Sequence, residues 1–232
     1  MKRRELIEAL AARIAAIRRY HPVCVAVDGV DASGKTTLAD ELAPSIEALG
    51  RQVIRASVDG FHNPTAIRRR RGPTSPEGYY LDSFNHHDLI RSLLQPLGPG
   101  GSLMFRRAVF DFRSDEPVET PQERAQDDAV LIFDGVFLLR PELRELFDFS
   151  IFLRVDLKIA LDRAEARDLP LFGTAEAVRR RYQTRYFPGQ QLYLEQVRPE
   201  LLASVVINNN DPMRPIVEHT VQPSSSGGGN ES

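Results

Sequence analysis

A chain of 232 residues and 26.1 kDa is long enough for one sizeable core and short for two, so a single α/β unit with elaborations is expected. Apolar residues at 42% and charged residues at 27% exclude a collagen, a coiled coil and wholesale disorder. A formal net charge of -2 removes the overall electrostatic case for a nucleic-acid or anionic-membrane binder, so any basic site must be local.

Residues 3–19 place Leu6, Leu10, Ile14 and Ile17 at helical spacing among charged residues, which predicts an amphipathic N-terminal helix stopped by His21-Pro22. Residues 23–27, Val-Cys-Val-Ala-Val, form a continuous run of strand formers of the kind buried on both faces of a parallel sheet. Similar runs at Val53–Ser57, 129–133, 151–155 and 205–207 bring the expected core to about five strands. Helical patterns at 36–49, 141–147 and 157–167 lie between them, so the fold class is α/β, a doubly wound parallel sheet with flanking helices. Two stretches between the second and third strands break the rhythm. Residues 63–78, rich in Pro, Gly and Arg, read as a long functional surface loop, and 103–112, with Phe105, Val109, Phe110 and Phe112, as a small β flap. The Ser-Ser-Ser-Gly-Gly-Gly of 223–232 reads as a flexible tail, leaving a domain over 1–222 with its first helix in 1–20.

Cys24, the only cysteine, lies inside an apolar run, so one chain can build neither a disulfide nor a cysteine zinc site; a reducing cytoplasm is the expected compartment. No apolar run approaches the roughly eighteen residues of a membrane span, and Met1-Lys2-Arg3-Arg4 leads into an alternating polar pattern rather than a signal-peptide block.

Directly after the first strand comes Gly29-Val30-Asp31-Ala32-Ser33-Gly34-Lys35-Thr36-Thr37, which satisfies GxxxxGK(S/T) and opens into a helix. Glycines let the backbone curl until successive N–H groups converge on one concavity, and the following helix adds its positive end. Such a cradle fits a polyphosphate, which makes Gly29, Asp31, Ala32, Ser33, Gly34, Lys35, Thr36 and Thr37 the candidate ATP-binding residues. Lysine is confined to Lys2, Lys35 and Lys158, so Lys35 in this motif is informative; it would reach the terminal phosphates. The Thr36 hydroxyl would coordinate Mg2+, and Asp134, ending the apolar run before Gly135, is the acid expected at that metal.

A guanine-reading NKxD segment and an LSGGQ signature are both missing, which disfavours a regulatory GTPase and a transporter ATPase. A small-molecule kinase remains, and it needs a base at the carboxyl end of a strand beside the phosphate loop. Asp59 occupies that place in Ser57-Val58-Asp59-Gly60-Phe61-His62, with Phe61 and His62 as candidate walls of an acceptor pocket.

The phosphate loop, Asp59-Gly60-Phe61-His62, Tyr80-Leu81-Asp82-Ser83-Phe84, Val109-Phe110-Asp111-Phe112, Phe133-Asp134-Gly135 and Leu143 through Asp148, in this order, resemble the uridine kinase and phosphoribulokinase superfamily of P-loop kinases over about residues 20 to 212. The resemblance implies a P-loop NTPase fold, Asp59 as the base that takes the sugar hydroxyl's proton, and Asp82 as a ligand of the acceptor sugar. It also implies an arginine-bearing helical lid over about 163–187, with Arg163 and Arg167 on the phosphates, and acceptor contacts at Phe110 and Phe112 in the flap. Two departures stand out. Phe110 and Asp115 replace the tyrosine and histidine that read the pyrimidine, and Leu171-Phe172-Gly173-Thr174 replaces the lid's Arg-Gly-Arg, with Arg179, Arg180, Arg181 and Arg185 near in sequence. Asp59-Gly60-Phe61, Asn63-Pro64 and an arginine-rich loop also resemble bacterial pantothenate kinase, so a nucleoside and other small metabolites both stay open as acceptors.

Arg68-Arg69-Arg70-Arg71 lacks the interleaved aromatics of a nucleic-acid patch and reads first as a solvated loop, second as a site for a phosphate. His86-His87-Asp88 reads as a surface or capping element, because adjacent side chains at a helix start cannot both face one ion. The expectation is an ATP- and Mg2+-dependent kinase of a small acceptor, binding neither nucleic acid nor membrane, with homo-oligomerisation left open. The rival from another class is a regulatory nucleotide-binding NTPase without an acceptor.

Overall fold

Apolar runs that continue without a polar break need cover on both faces, and the sheet supplies it. In the computed structural model, which describes residues 2–220, the strands are β1 (Val23–Gly29), β2 (Val53–Ser57), β3 (Val130–Asp134), β4 (Phe149–Arg154), β5 (Val205–Asn208) and β6 (Ile216–Thr220). Their spatial order is β6-β5-β4-β1-β3-β2. All neighbours are parallel except β5 and β6. The expected count of about five becomes six. The addition is an antiparallel edge strand with a register irregularity between Val217 and His219, and its exposed Glu218 and His219 hid it from an apolar-run criterion.

Side chains alternate across the pleat. Val23, Val25 and Val27 face the core under helices α1 (Arg3–Ala15) and α2 (Lys35–Glu47). Cys24 and Ala26 face the opposite core, shared with α3 (Pro76–Asp82), the helical run 86–97 and α6 (Phe187–Val197). Helices α4 (Leu157–Phe172) and α5 (Ala175–Arg181), followed by the wide turn Tyr182–Tyr186, make up the segment expected as a lid. Among the described residues no helix is long and apolar enough to cross a membrane. The tail at 223–232 lies outside the described residues.

Four expectations change. The helix over 141–147 is only the 3-10 turn Arg144–Leu146. Helix nucleation is costly in so short a stretch, and Asp148 pins the chain by accepting from the Cys24 N–H at 2.9 Å immediately before β4. The flap over 103–112 is not one local hairpin; Met104–Phe105 pairs with Glu123–Arg124, and Phe110–Asp111 with Glu116–Pro117. The loop over 63–78 contains the single turn Thr65–Arg68 and the first residues of α3. The helix at 86 is capped by Asn85, whose side chain accepts from the Asp88 N–H at 3.1 Å, rather than by His87-Asp88.

Register places the chemistry. Val27 and Ser57 both stand opposite Asp134, so the ends of β1, β2 and β3 are level and their loops emerge side by side.

Candidate active site

The turn out of β1 is built on backbone that side chains resist. Gly29 has φ 151, and a Cβ there would stand 2.6 Å from the Leu153 carbonyl oxygen. Gly34, the N-cap of α2, has φ 94, and its Cβ would come within 2.9 Å of Asn209 Nδ2, which itself donates to the Ser33 carbonyl at 2.7 Å. The curl leaves Ser33 Oγ buried without a hydrogen-bond partner. Lys35 is buried at the start of α2 and its ammonium donates to the Val30 carbonyl at 2.7 Å, closing the ring. Burial lowers the Lys35 pKa, opposed by the carboxylates of Asp31, Asp28 and Asp134.

A cleft of about 550 Å³ opens over this loop. Ala32, Gly34, Lys35, Thr36 and Thr37 line it together with Arg163 and Arg167 of α4, so most of the residues expected at a nucleotide meet in one place. Arg3, Asn209 and Pro212 complete the wall. Nothing local in the sequence marked these three; they arrive from the N-terminal helix and from the loop after β5. Arg163 donates to the carbonyls of Asn209 at 2.9 Å and Asn210 at 2.8 Å, while Arg167 bonds Asp168 at 2.7 Å and the Tyr182 hydroxyl at 2.9 Å. Three arginines near in sequence to the missing lid motif are engaged elsewhere: Arg179 pairs with Glu165, and Arg181 and Arg185 donate to the Pro73 carbonyl.

Thr36 Oγ1 donates to Asp134 Oδ2 at 2.7 Å, and Arg55 holds Asp134 Oδ1 at 2.9 Å. Two hard oxygen donors at the foot of a phosphate cradle suit Mg2+, which takes one or two protein ligands and completes its shell with phosphate oxygens and water.

On the other side of the loop, Asp59 sits in the 3-10 turn Val58–Phe61 that follows β2, where Ser57 Oγ accepts from its N–H at 3.4 Å. It is exposed beside the phosphate loop, outside the residues that line the cleft, and its carboxylate has no hydrogen bond or ion pair among the described residues. The crowding of surrounding protein raises its pKa, the nearby Asp31 and Asp134 raise it further, and His62 and Lys35 oppose. His62 Nδ1 lies 3.0 Å from the Asp59 carbonyl oxygen. A carbonyl only accepts, so Nδ1 carries the proton and Nε2 is left as an acceptor; burial lowers the ring's pKa and favours this neutral form. The ring packs at tilted angles against Phe84, with centroids 4.6 Å apart, and against Phe112, at 4.9 Å.

Two expected acceptor contacts move inward. Phe61 is fully buried against Phe133, and Phe110 is 6% exposed, so both support the pocket from the core instead of facing it, as the apolar surroundings of each require. Asp82 is also buried, with its oxygens taken by Arg70 at 2.5 Å and Arg71 at 2.9 Å, and these arginines hold its carboxyl below the ordinary range.

Asp31 turns away from the nucleotide cleft. Its Oδ2 accepts from the Tyr79 hydroxyl of α3 and from Gln190 Nε2 of α6, each at 2.7 Å. One turn further along α6 the Tyr193 hydroxyl donates to Asp28 Oδ2, while Asp28 Oδ1 accepts from the Gly29 N–H at 2.7 Å. Complete burial pushes Asp28 up to about 6 despite these donors.

Comparisons with known proteins agree with this geometry. Uridine-cytidine kinase B of Dictyostelium discoideum is 28% identical over 150 residues, covering 64% of this chain; the chain spans 59% of that relative's length. A uridine kinase of Shewanella sp. (strain W3-18-1) is 27% identical over 187 residues, covering 76% of this chain and 82% of its own. Among solved structures, a possible uridine kinase of Bacillus stearothermophilus superposes with a TM-score of 0.68 at 25% identity, covering 88% of this chain and 97% of its own. The family model described as phosphoribulokinase / uridine kinase matches residues 24–200, a span that begins in β1 and takes in both the curled turn and Asp59, and the chain belongs to that family.

Proposed function

We propose that the protein transfers the terminal phosphoryl group of ATP to a hydroxyl of a small acceptor. The observation that carries this reading is Asp59: an exposed carboxylate, free of hydrogen bonds among the described residues and raised in pKa, at the strand end beside the phosphate loop. The Asp31, Asp82 and Asp134 carboxylates nearby are all held by donors, which leaves Asp59 as the acid free to take a proton.

The cradle's converging N–H groups, Lys35 and the cleft arginines Arg163 and Arg167 would hold the triphosphate, and Thr36 with Asp134 would hold Mg2+. Bound together, these groups supply an electrophilic phosphorus with its charge screened by the metal. Asp59 accepts the acceptor hydroxyl's proton as the O–P bond forms, while Lys35 meets the negative charge that spreads over the moving group. His62 lines the acceptor pocket and offers Nε2 to a hydroxyl donor. The curated relatives are uridine kinases, which makes a nucleoside the first acceptor to try; pantothenate and sugar phosphates are the alternatives.

A regulatory NTPase would pass the phosphoryl group to water and would need no such base. The test is ADP release with MgATP in the presence of nucleosides, pantothenate or sugar phosphates. Acceptor-dependent ADP is expected, and ADP formed at the same rate without any acceptor would overturn the reading.

A further inference from the structure

Four consecutive arginines, Arg68 to Arg71, have no part in the reaction as described, and adjacent like charges are unfavourable unless something compensates them. Compensation is partial. Asp82 takes Arg70 and Arg71, one on each oxygen, with its side chain only 1% exposed. Asp115 takes Arg68 at 2.7 Å. Arg69 is exposed and its guanidinium makes no hydrogen bond or ion pair among the described residues, and Arg68 Nε is buried without a partner.

Two further guanidinium groups reach the same loop. Arg185, 4% exposed, donates to the carbonyls of Arg68, Gly72 and Pro73, and Arg181 also donates to Pro73. Neither meets a carboxylate, so six cations gather around Asp82 and Asp115, with the exposed Glu77 close enough to act on Arg71.

The cluster stands on the acceptor side of Asp59. His62, bonded to the Asp59 carbonyl, precedes Asn63, whose side chain donates to the Asp82 carbonyl at 3.0 Å. The Arg68 partner Asp115 lies in the flap turn that also carries Phe112, which packs tilted against His62. An acid that would bind neutral sugar hydroxyls has its oxygens committed here, and what it presents is a guanidinium pair. The His62 ring already packs, tilted, against Phe84 and Phe112, aromatic neighbours from within this chain.

Resting on the kinase reading, we infer that the acceptor is anionic, carrying a phosphate or carboxylate that the Arg68 to Arg71 segment recognises, with Asp82 a positioning residue that holds Arg70 and Arg71 in place.

The test is kcat/KM for matched acceptors: ribose against ribose 5-phosphate, glycerol against glycerate, and uridine as a neutral nucleoside. At least one charged member is expected to exceed its neutral partner about tenfold or more, mainly through KM, and the better of the two pairs tells phosphate from carboxylate. Added salt should shrink the advantage. Arg69→Gln, which breaks no described bond, should cut the ratio several-fold, and the Arg70→Gln/Arg71→Gln double variant more, provided melting shows that it folds with Asp82 unpaired. Equal or better use of the neutral members, or a ratio unmoved by Arg69→Gln and by a folded double variant, overturns the inference. Phosphorylation of uridine alone overturns it while the kinase reading stands; no acceptor-dependent ADP from any compound overturns both.

Discussion

Asparagine at position 59 would keep the shape of the side chain and remove its ability to take a proton. General-base transfer contributes roughly a hundredfold to ten-thousandfold, which at about 1.4 kcal/mol per decade is about 3 to 5 kcal/mol of transition-state stabilisation. The Asp59 carboxylate bonds to nothing among the described residues and is exposed, so Asp59→Asn is expected to leave the fold within about 0.5 kcal/mol of wild type. Its charge lies near Lys35, Asp31 and Asp134, and removing it takes repulsion away from an incoming triphosphate, so nucleotide affinity is kept or improved. Coupled ADP release should therefore fall by two to four decades while calorimetry with MgATP and the melting curve stay close to wild type. The pH profile adds a second check. The base works unprotonated, and its pKa is raised above the ordinary 3.8, so wild-type kcat/KM falls on acidification with a midpoint above that value; the variant loses this limb. Wild-type turnover in Asp59→Asn, or an acid limb that survives in it, would refute the assignment.

Lys35→Ala removes the ammonium that closes the phosphate loop, and both ATP affinity and rate are expected to drop at least tenfold, which calorimetry and ADP release would show together; an unchanged pair of values argues against the site. Tyr193→Phe takes a donor from buried Asp28, with an expected stability loss of about 1.5 to 3 kcal/mol at neutral pH. Asp28 sits at about 6 in the fold against an ordinary 3.8, so the native state holds the proton more tightly and its stability falls as pH rises through that window. Losing Tyr193 moves the upper edge of the window higher, and urea unfolding should show a larger loss at pH 8 than at pH 5; equal losses would contradict the linkage.

Much of this was legible because it is local. The phosphate loop declares itself by glycines and a lysine at fixed spacing, and β1 to β5 by apolar runs that only a doubly covered sheet accommodates. The strand-end positions of Asp59 and Asp134 were legible because the apolar runs before them stop there. What escaped depends on distance. The partners of Asp31 lie 48 and 159 residues away, and the carbonyls that anchor Arg185 lie more than a hundred, separations over which no spacing rule operates. Edge strand β6 escaped for the opposite reason: one solvated face and a broken register erase the apolar signature. Phe61 and Phe110 were misplaced because an aromatic beside a strand-end turn looks the same in sequence whether it faces solvent or packs into the core beneath.

Helix α6 holds the phosphate loop through Gln190 on Asp31 and the strand end that feeds it through Tyr193 on Asp28, one turn apart. Two such rungs stop the helix from rolling about its own axis without shearing the turn that it braces. Any influence that torques α6, from crowding at its outer surface to a substitution in the wide turn before it, is thereby geared to the shape of the curled turn after β1.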